Sequence, residues 1–519
     1  MKKKIILVSL YINNFKIQLA LYYLKACLNK YIQNSSEIDI RILTFSHGED
    51  KNLILDKICK EDPDIIGFSC YVWNITKILE LSRSIKKSSP KTKIILGGPE
   101  VSPRPVQLLK INKSIDFVVS GEGEQRFKQL IEYLLLGNYD IRQIDGMAYR
   151  DNGRIIFNKQ GQDLSNLNII PSPYLERLID IVPKDEYPVE TMRGCAFKCN
   201  YCYYHKGFKN LRYFSLERIE EEFEFILKKD PGTIYLMDPT FNFDRKRAKE
   251  ILKIFIRHNK NSRLHVELRA ELLDRQMVEL LHKARANFIE IGVQSTNKEA
   301  LKLMNRSFSP SLFRNNILLL NKKRLFYQIQ LIASLPQDNY RTFSTSLDFL
   351  FRLRPPNFQI ERLMMLPGTN LRPLAARFKI RYDRNPPYYA YKSDTYSAKD
   401  LKKTMKLEQT VSILINRGLF KESFYGIVKD LDISPTGILE SWLKVTEEQG
   451  LSFDKIKKIE NGSIKIMVIL AKLANSWLSL AQYLYKKYDH SIVPGSILSL
   501  IKEDREKLFK KHALEIKDI

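Results

Sequence analysis

Cysteine is scarce in this chain, six among 519 residues, which excludes a disulfide-stapled secreted scaffold. Tryptophan is scarcer still, at three. No uninterrupted apolar run approaches the ~20 residues that cross a bilayer. The best candidate, residues 466–485, is broken by Lys472, Asn475, Ser476 and Gln482 and reads as a buried or interfacial helix. At the amino end Lys2, Lys3 and Lys4 precede only six apolar residues, and Asn13 and Asn14 stand where a secretory signal would carry small ones. That segment reads as a first buried strand, and the protein as cytoplasmic without a membrane span. There is no internal repeat, no low-complexity tract and no charged tail. Basic residues exceed acidic ones by 85 to 59, net +26. The first 150 residues hold 23 basic and 16 acidic side chains, net +7, leaving +19 for the other 369. An excess this evenly spread reads as solvated lysines, so no nucleic-acid partner is expected.

What is present is an ordinary globular composition, 44% hydrophobic and 28% charged, on a chain too long for one core. About three domains are expected. Over the first 140 residues short apolar runs (5–9, 39–44, 65–69, 93–96 and 117–120) alternate with helical patterns such as 18–30 and 74–87. That alternation predicts a Rossmann-like parallel sheet covered on both faces. Ligands of such sheets sit at the carboxyl ends of the strands, where the sequence places Ser69, Gly97-Gly98 and Gly121-Glu122-Gly123-Glu124. A hairpin is predicted at 147–158 around Asn152-Gly153, followed by a proline-marked connector. Six further strand–helix units follow, with strands near 189–192, 233–237, 264–268, 288–293, 327–331 and 358–364. Six units predict an open or partial barrel rather than a closed eight-unit one. The fold class is therefore α/β, in four parts: a sheet domain (1–143), a hairpin and connector (144–186), a partial (βα)₆ barrel (187–372) and a helical carboxyl-terminal domain (373–519).

The densest chemical signal is Arg193-Gly194-Cys195-Ala196-Phe197-Lys198-Cys199-Asn200-Tyr201-Cys202. With six cysteines, a given triple spacing arises by chance about once in a thousand such chains. Thiolates suit iron–sulfur clusters or zinc. A structural zinc site wants four protein ligands, and His205 is the candidate fourth. Three thiolates on a four-iron cluster leave one iron open to a small molecule.

This pattern, C-x₃-C-x₂-C after the first barrel strand with an aromatic, Tyr201, before the last cysteine, resembles the radical S-adenosylmethionine (radical SAM) superfamily. The resemblance continues through Asp238 after the second strand, Glu267 and Arg269 at the third, the strand ending in Gln294, the Leu335-Pro336-Gln337-Asp338 turn (with Ser334 in a usual glycine position) and Leu366-Pro367-Gly368-Thr369. It implies that Cys195, Cys199 and Cys202 hold a [4Fe-4S] cluster whose open iron chelates S-adenosylmethionine. Reductive cleavage then yields a 5′-deoxyadenosyl radical. Tyr201, Asp238, Glu267, Arg269 and Gln294 become cofactor contacts. An electron donor such as flavodoxin or ferredoxin is implied, with a small-molecule or peptide substrate.

The sheet ahead of the barrel resembles the cobalamin-binding domain of cobalamin-dependent radical SAM enzymes, which implies that Ser69, Gly97, Gly98, Gly121 and Glu122 line a cobalamin site. The histidine signature that ligates cobalt in many cobalamin proteins is absent. The first loop, residues 10–15, has no histidine and His47 falls on a later one, so cobalt is expected without a histidine ligand. The implied reaction is methylation or rearrangement of an unactivated carbon. Two rivals are an RNA-modifying methylthiotransferase-like enzyme, which would use Cys27, Cys59 and Cys70 for a second cluster, and a non-catalytic cofactor-binding sensor. Tyr203, Tyr204, His205 and Asn242 are further candidates to face the substrate.

Overall fold

The computed structural model describes residues 2–12, 16–32, 38–208, 210–418, 420–448, 464–487 and 493–517. The first-loop residues Asn13, Asn14 and Phe15 lie outside the described residues.

The apolar runs of the first region become β1 (Lys3–Tyr11), β2 (Ile38–Ser46), β3 (Ile65–Ser69), β4 (Lys93–Gly97) and β5 (Phe117–Val119). All are parallel, in the order β2-β1-β3-β4-β5. Each face of the sheet has its own apolar cluster. Ile6, Val8, Ile66, Phe68 and Leu96 point to one side, Ile5, Leu7, Ile65 and Ile95 to the other. This two-sided burial is why the strands read as unbroken apolar runs.

The hairpin expected in a connector instead completes this sheet. Its strands β6 (Met147–Asp151) and β7 (Arg154–Phe157) add antiparallel strands beyond β5. The join is tight, since Ser120 N donates to Gly146 O at 3.0 Å and a Cβ on Gly146 would stand 2.8 Å from Ser120 O. The short β5 would otherwise expose an unpaired edge.

The second region forms a six-stranded parallel sheet from β8 (Glu186–Val189), β11 (Thr233–Leu236), β12 (Arg263–Leu268), β13 (Ala286–Gln294), β14 (Tyr327–Ala333) and β15 (Asn357–Arg362), in chain order from one edge to the other. The first strand ends earlier than expected, at Val189. Residues Met192–Arg193 (β9) form a separate two-residue ribbon with Arg212–Tyr213 (β10). The cause lies just past the end of the neighbouring strand β11. The buried Asp238 carboxylate accepts the backbone N–H of Thr191 at 2.9 Å and of Met192 at 3.2 Å, which draws the chain out of the sheet.

Burial alternates along these strands, as in β14, where Tyr327, Ile329, Leu331 and Ala333 are buried and the residues between them are not. The apolar face packs on helices 216–227, 245–258, 275–283, 310–322 and 340–351, and their buried residues belong to one core. The carboxyl-terminal region opens with a small ribbon, β16 (Arg381–Tyr382) with β17 (Ala390–Lys392), before becoming helical. Leu407, Phe424 and Trp442 of those helices share the barrel's core, as do Leu19, Tyr23 and Cys27 of the helix Leu19–Tyr31 from the first sheet domain. Among the described residues no helix is long and apolar enough to cross a membrane.

Candidate active site between the two sheets

The carboxyl ends of β3, β4 and β5 face the mouth of the barrel. Between them lies a cavity of about 550 Å³, within the range of small-molecule and cofactor sites. Its first wall carries Ser69, Gly97, Gly98, Gly121 and Glu122; its second carries Glu190, Arg193, Tyr203, Tyr204, Tyr235 and Met237. Tyr71 and Trp73, stacked with centroids 4.5 Å apart, also reach it.

The two glycines of the Gly97-Gly98 pair do different work. Gly98 has φ +109° and a Cβ there would stand 2.6 Å from Cys70 O, so it is required by its own loop. Gly97 has an ordinary φ, and a Cβ there meets nothing closer than Val119 O at 3.9 Å. Gly97 therefore leaves open space on the cavity side, the feature a large flat ligand needs. Glu122, expected as a cofactor contact, lines the cavity. Its carboxylate is bonded to Arg193 and Arg212, and those bonds hold its pKa below the usual carboxylate range against the opposing effect of burial.

The three cysteines of the motif lie on the loop between β9 and β10, all as free thiols. Burial raises the pKa of Cys195 and lifts that of Cys202 to about 11, and the neighbouring thiols of the loop push in the same direction. Three free thiols on one loop can each bind one iron of a polynuclear cluster. Among the described residues no three His, Cys, Asp or Glu side chains converge on a single ion. Arg306, which the sequence reading missed, donates to Cys199 Sγ at 3.9 Å and to the carbonyl of Gly292. Tyr201 is half-buried, packed against the cluster of Leu363 and Met365.

The strand-end residues divide into two groups. Asp238 is fully buried, and burial lifts its carboxyl to about 6 even with Thr191 and Met192 bonded to it. Its bonds to Thr191 and Met192 shape the approach to the cysteine loop. Asn242, also fully buried, clips Arg269 by paired backbone bonds of 2.9 and 3.0 Å. Glu267 and Arg269 lie nearer the thiols. Burial, reinforced by Glu290, holds Glu267 at about 7, and it accepts the Tyr235 hydroxyl at 2.8 Å. The Arg269 guanidinium stacks on Phe197 within the cysteine motif, 4.3 Å from the ring centre, and donates to Ser307 O at 2.6 Å.

Gln294 has φ +73° at an irregularity in the β13–β14 register. A Cβ on Gly292 would strike its amide nitrogen at 2.5 Å. Ser334 and Gln337 also have φ +67°. The serine thus occupies a backbone position suited to glycine, and its buried hydroxyl has no hydrogen-bond partner. Backbone held in this region is costly and clusters at functional sites; none of Gln294, Ser334 and Gln337 is among the residues that line the cavity.

Cys27 and Cys70 are buried in different apolar clusters and Cys59 is half-buried at 3.8 Å from Ser88. They do not form a second triad.

Residues 189–350 match the family model of the radical SAM superfamily and residues 11–131 that of the B12 binding domain. The cobalamin-dependent radical SAM methyltransferase TokK of Streptomyces tokunonensis is 25% identical over 338 residues, 60% of this chain and 48% of TokK. The chain thus spans about half the length of that curated relative. Among solved structures, the cobalamin-dependent S-adenosylmethionine radical enzyme OxsB with aqua-cobalamin and S-adenosylmethionine bound aligns with a TM-score of 0.61 at 15% identity, over 100% of this chain and 80% of OxsB. The radical S-adenosylmethionine methyltransferase TsrM from Kitasatospora setae, with cobalamin and a [4Fe-4S] cluster bound, aligns at 0.59 and 15% identity, over 74% of this chain and 78% of TsrM. At such identities the structures establish a shared fold.

Proposed function

The chain belongs to the cobalamin-dependent radical SAM family, with a B12-binding domain ahead of a radical SAM barrel, and from that premise we propose that it methylates an unactivated carbon of a small-molecule or peptide substrate. One observation carries the reading. The same cavity is walled by the glycine-bearing strand ends of the first sheet and by Tyr203 and Tyr204, immediately after the cysteine triad. A cobalamin seated on Ser69 and Gly97 would therefore lie beside the cluster loop.

When bound, the [4Fe-4S] cluster with S-adenosylmethionine supplies the 5′-deoxyadenosyl radical, and cobalamin supplies the methyl group. The rest is the work of this chain's residues. Cys195, Cys199 and Cys202 hold the cluster, with Arg306 as the cation beside Cys199. Glu267 and Arg269 offer a carboxyl and a guanidinium at the third strand end for the sulfonium-bearing cofactor. Asn242 fixes the backbone of Arg269, and Asp238 that of Thr191 and Met192 ahead of the cysteine loop. Tyr203, Tyr204 and the Tyr71–Trp73 pair exclude water. Cobalt carries no histidine in this reading: none of the described residues lining the cavity is a histidine, and the first loop has none in sequence. The electron donor is an external low-potential carrier such as flavodoxin or ferredoxin.

Anaerobic reconstitution tests the reading. The wild type is expected to take up iron and to release 5′-deoxyadenosine from S-adenosylmethionine under a low-potential reductant. Changing Cys195, Cys199 and Cys202 together to Ala should abolish both. Full iron in the triple variant would refute the ligand assignment. A nitrogen hyperfine pattern from histidine in the cobalt(II) state would refute the ligation.

A further inference from the structure

The cysteine loop stands on a base of two arginines. In the β9–β10 ribbon Arg193 is the cross-strand partner of Arg212, with all three cysteines between them in sequence. Like charges directly opposite one another destabilise a ribbon, and both side chains are nearly out of water, 5% and 8% exposed. Two of the four carboxylates that balance them, Glu122 and Glu124, come from the other domain; Glu190 of the barrel and Asp163 of the connector, 3.7 Å from Arg212, are the others. Glu122, on the loop after β5, accepts Arg193 Nη1 on one oxygen at 3.2 Å and Arg212 Nη1 on the other at 2.9 Å. The second oxygen also takes the backbone N–H of Leu164 at 2.9 Å.

Arg193 spends its remaining nitrogens in the same way. Nη2 donates to Glu124 at 2.6 Å and Nε to Glu190 at 3.0 Å. Its guanidinium lies 5.3 Å from the Tyr23 ring centre and 5.9 Å from that of Phe208. One side chain is thus gripped by Glu122, Glu124 and Tyr23 of the first domain and by Glu190 and Phe208 of the barrel. Such charge-assisted bonds to a planar fork are stronger and more directional than neutral ones. Removing one partner of a buried ionic network leaves an uncompensated charge behind.

We propose that Glu122 and Glu124 are positioning residues that hold the Arg193–Arg212 ribbon and so fix the cluster loop at one place relative to the cobalamin cavity. The inference rests on the reading of the cavity given above. It reassigns the Gly121-Glu122-Gly123-Glu124 motif: the glycines shape the turn, and the carboxylates bind the other domain rather than the cofactor. Radical formation and methyl delivery must meet at one carbon, and an error of about 1 Å in such placement can cost about 100-fold in rate.

The test reads the separation directly. The reduced cluster and cobalt(II) each carry an unpaired spin, and their magnetic coupling falls steeply with distance. Holoenzyme is expected to show one narrow separation by pulsed electron paramagnetic resonance. With Glu122→Gln and Glu124→Gln together, iron and cobalt should be retained and the single separation lost, and Glu124→Asp alone should keep it. An unchanged narrow separation in the double variant would overturn the proposal. Amide hydrogen exchange on the single variant Glu124→Gln adds a measurement that needs no cofactor. Faster exchange confined to residues 194–211 is expected, whereas uniformly faster exchange would mean a general stabilising role and would overturn it. If the wild type takes up no cobalamin, the reading of the cavity fails, while the exchange result still decides whether the two carboxylates hold the loop.

Discussion

Two residues of the site make opposite demands on a substitution. Gly97→Val adds atoms where the nearest neighbour of a Cβ is 3.9 Å away, so the loop should fold as before and cobalamin should be excluded. Gly98→Ala meets the Cys70 carbonyl at 2.6 Å in a φ that L side chains rarely adopt, so the loop itself should move. Comparing cobalamin uptake with thermal unfolding separates the two. Gly97→Val should lose the cofactor at an unchanged melting temperature, and Gly98→Ala should lower both. Equal effects of the two variants would mean that Gly97 does not face the ligand.

Asp238 supplies a second prediction. Asp238→Ala leaves the N–H groups of Thr191 and Met192 and the Thr191 hydroxyl without their acceptor, at about 1–3 kcal/mol for each buried group left unpaired. Lower stability and poor iron retention are expected, measured by denaturant unfolding and iron analysis. A variant of wild-type stability with weakened S-adenosylmethionine binding would instead restore the direct contact expected from the sequence. The motif residues were legible in the sequence; the bonding partners of Asp238 and Glu122 were not, because they lie 46 to 90 residues away. Arg193 was visible beside the first cysteine, yet only the position of the Glu122-Glu124 loop shows what it does.

At the scale of elements, the inner face of the barrel sheet carries a polar ladder. His265 on β12 lies 3.7 Å from Glu186 on β8 and 2.8 Å from Glu290 on β13. Glu290 accepts the Gln330 amide, and Gln330 bonds Gln359 on β15 at 2.9 Å. Burial alone would lower the His265 pKa, but the two carboxylates override it and raise it to about 9. A histidine whose folded pKa is raised adds stability that is fully present below about 6.5 and is lost as pH rises through about 9. The shift corresponds to roughly 3 kcal/mol. Wild type should therefore lose stability relative to His265→Gln between pH 6.5 and 9.5 in denaturant unfolding. Parallel curves for the two proteins would show that His265 is not charged in the folded state.

The strands themselves were readable as apolar runs and alternations, because burial on one face or two is a local pattern. Two departures were not readable. The ribbon Met192–Arg193 exists because a distant carboxylate takes its amides, and the hairpin joins the first sheet because β5 is short and its edge open. Both are set by tertiary neighbours.

At the scale of the whole molecule, the two sheets are apposed so that the carboxyl ends of the first sheet's strands face a barrel mouth, with the helix Leu19–Tyr31 packed into the barrel's core and Arg193 gripped from both sides. The tandem order of the two domains was plain from the sequence. The cavity they enclose was not, since it belongs to neither domain alone. The helical carboxyl-terminal region shares the barrel's core, so its removal should expose Leu350, Phe351 and Phe358 and leave an insoluble barrel.

The central claim is that this shared cavity seats cobalamin beside the cluster. Full-length protein loaded anaerobically with iron, sulfide and hydroxocobalamin, then passed through gel filtration, should retain about four irons and about one cobalt per chain, with Gly97→Val retaining the iron alone. Iron at full occupancy with no cobalt in the wild type would contradict the account.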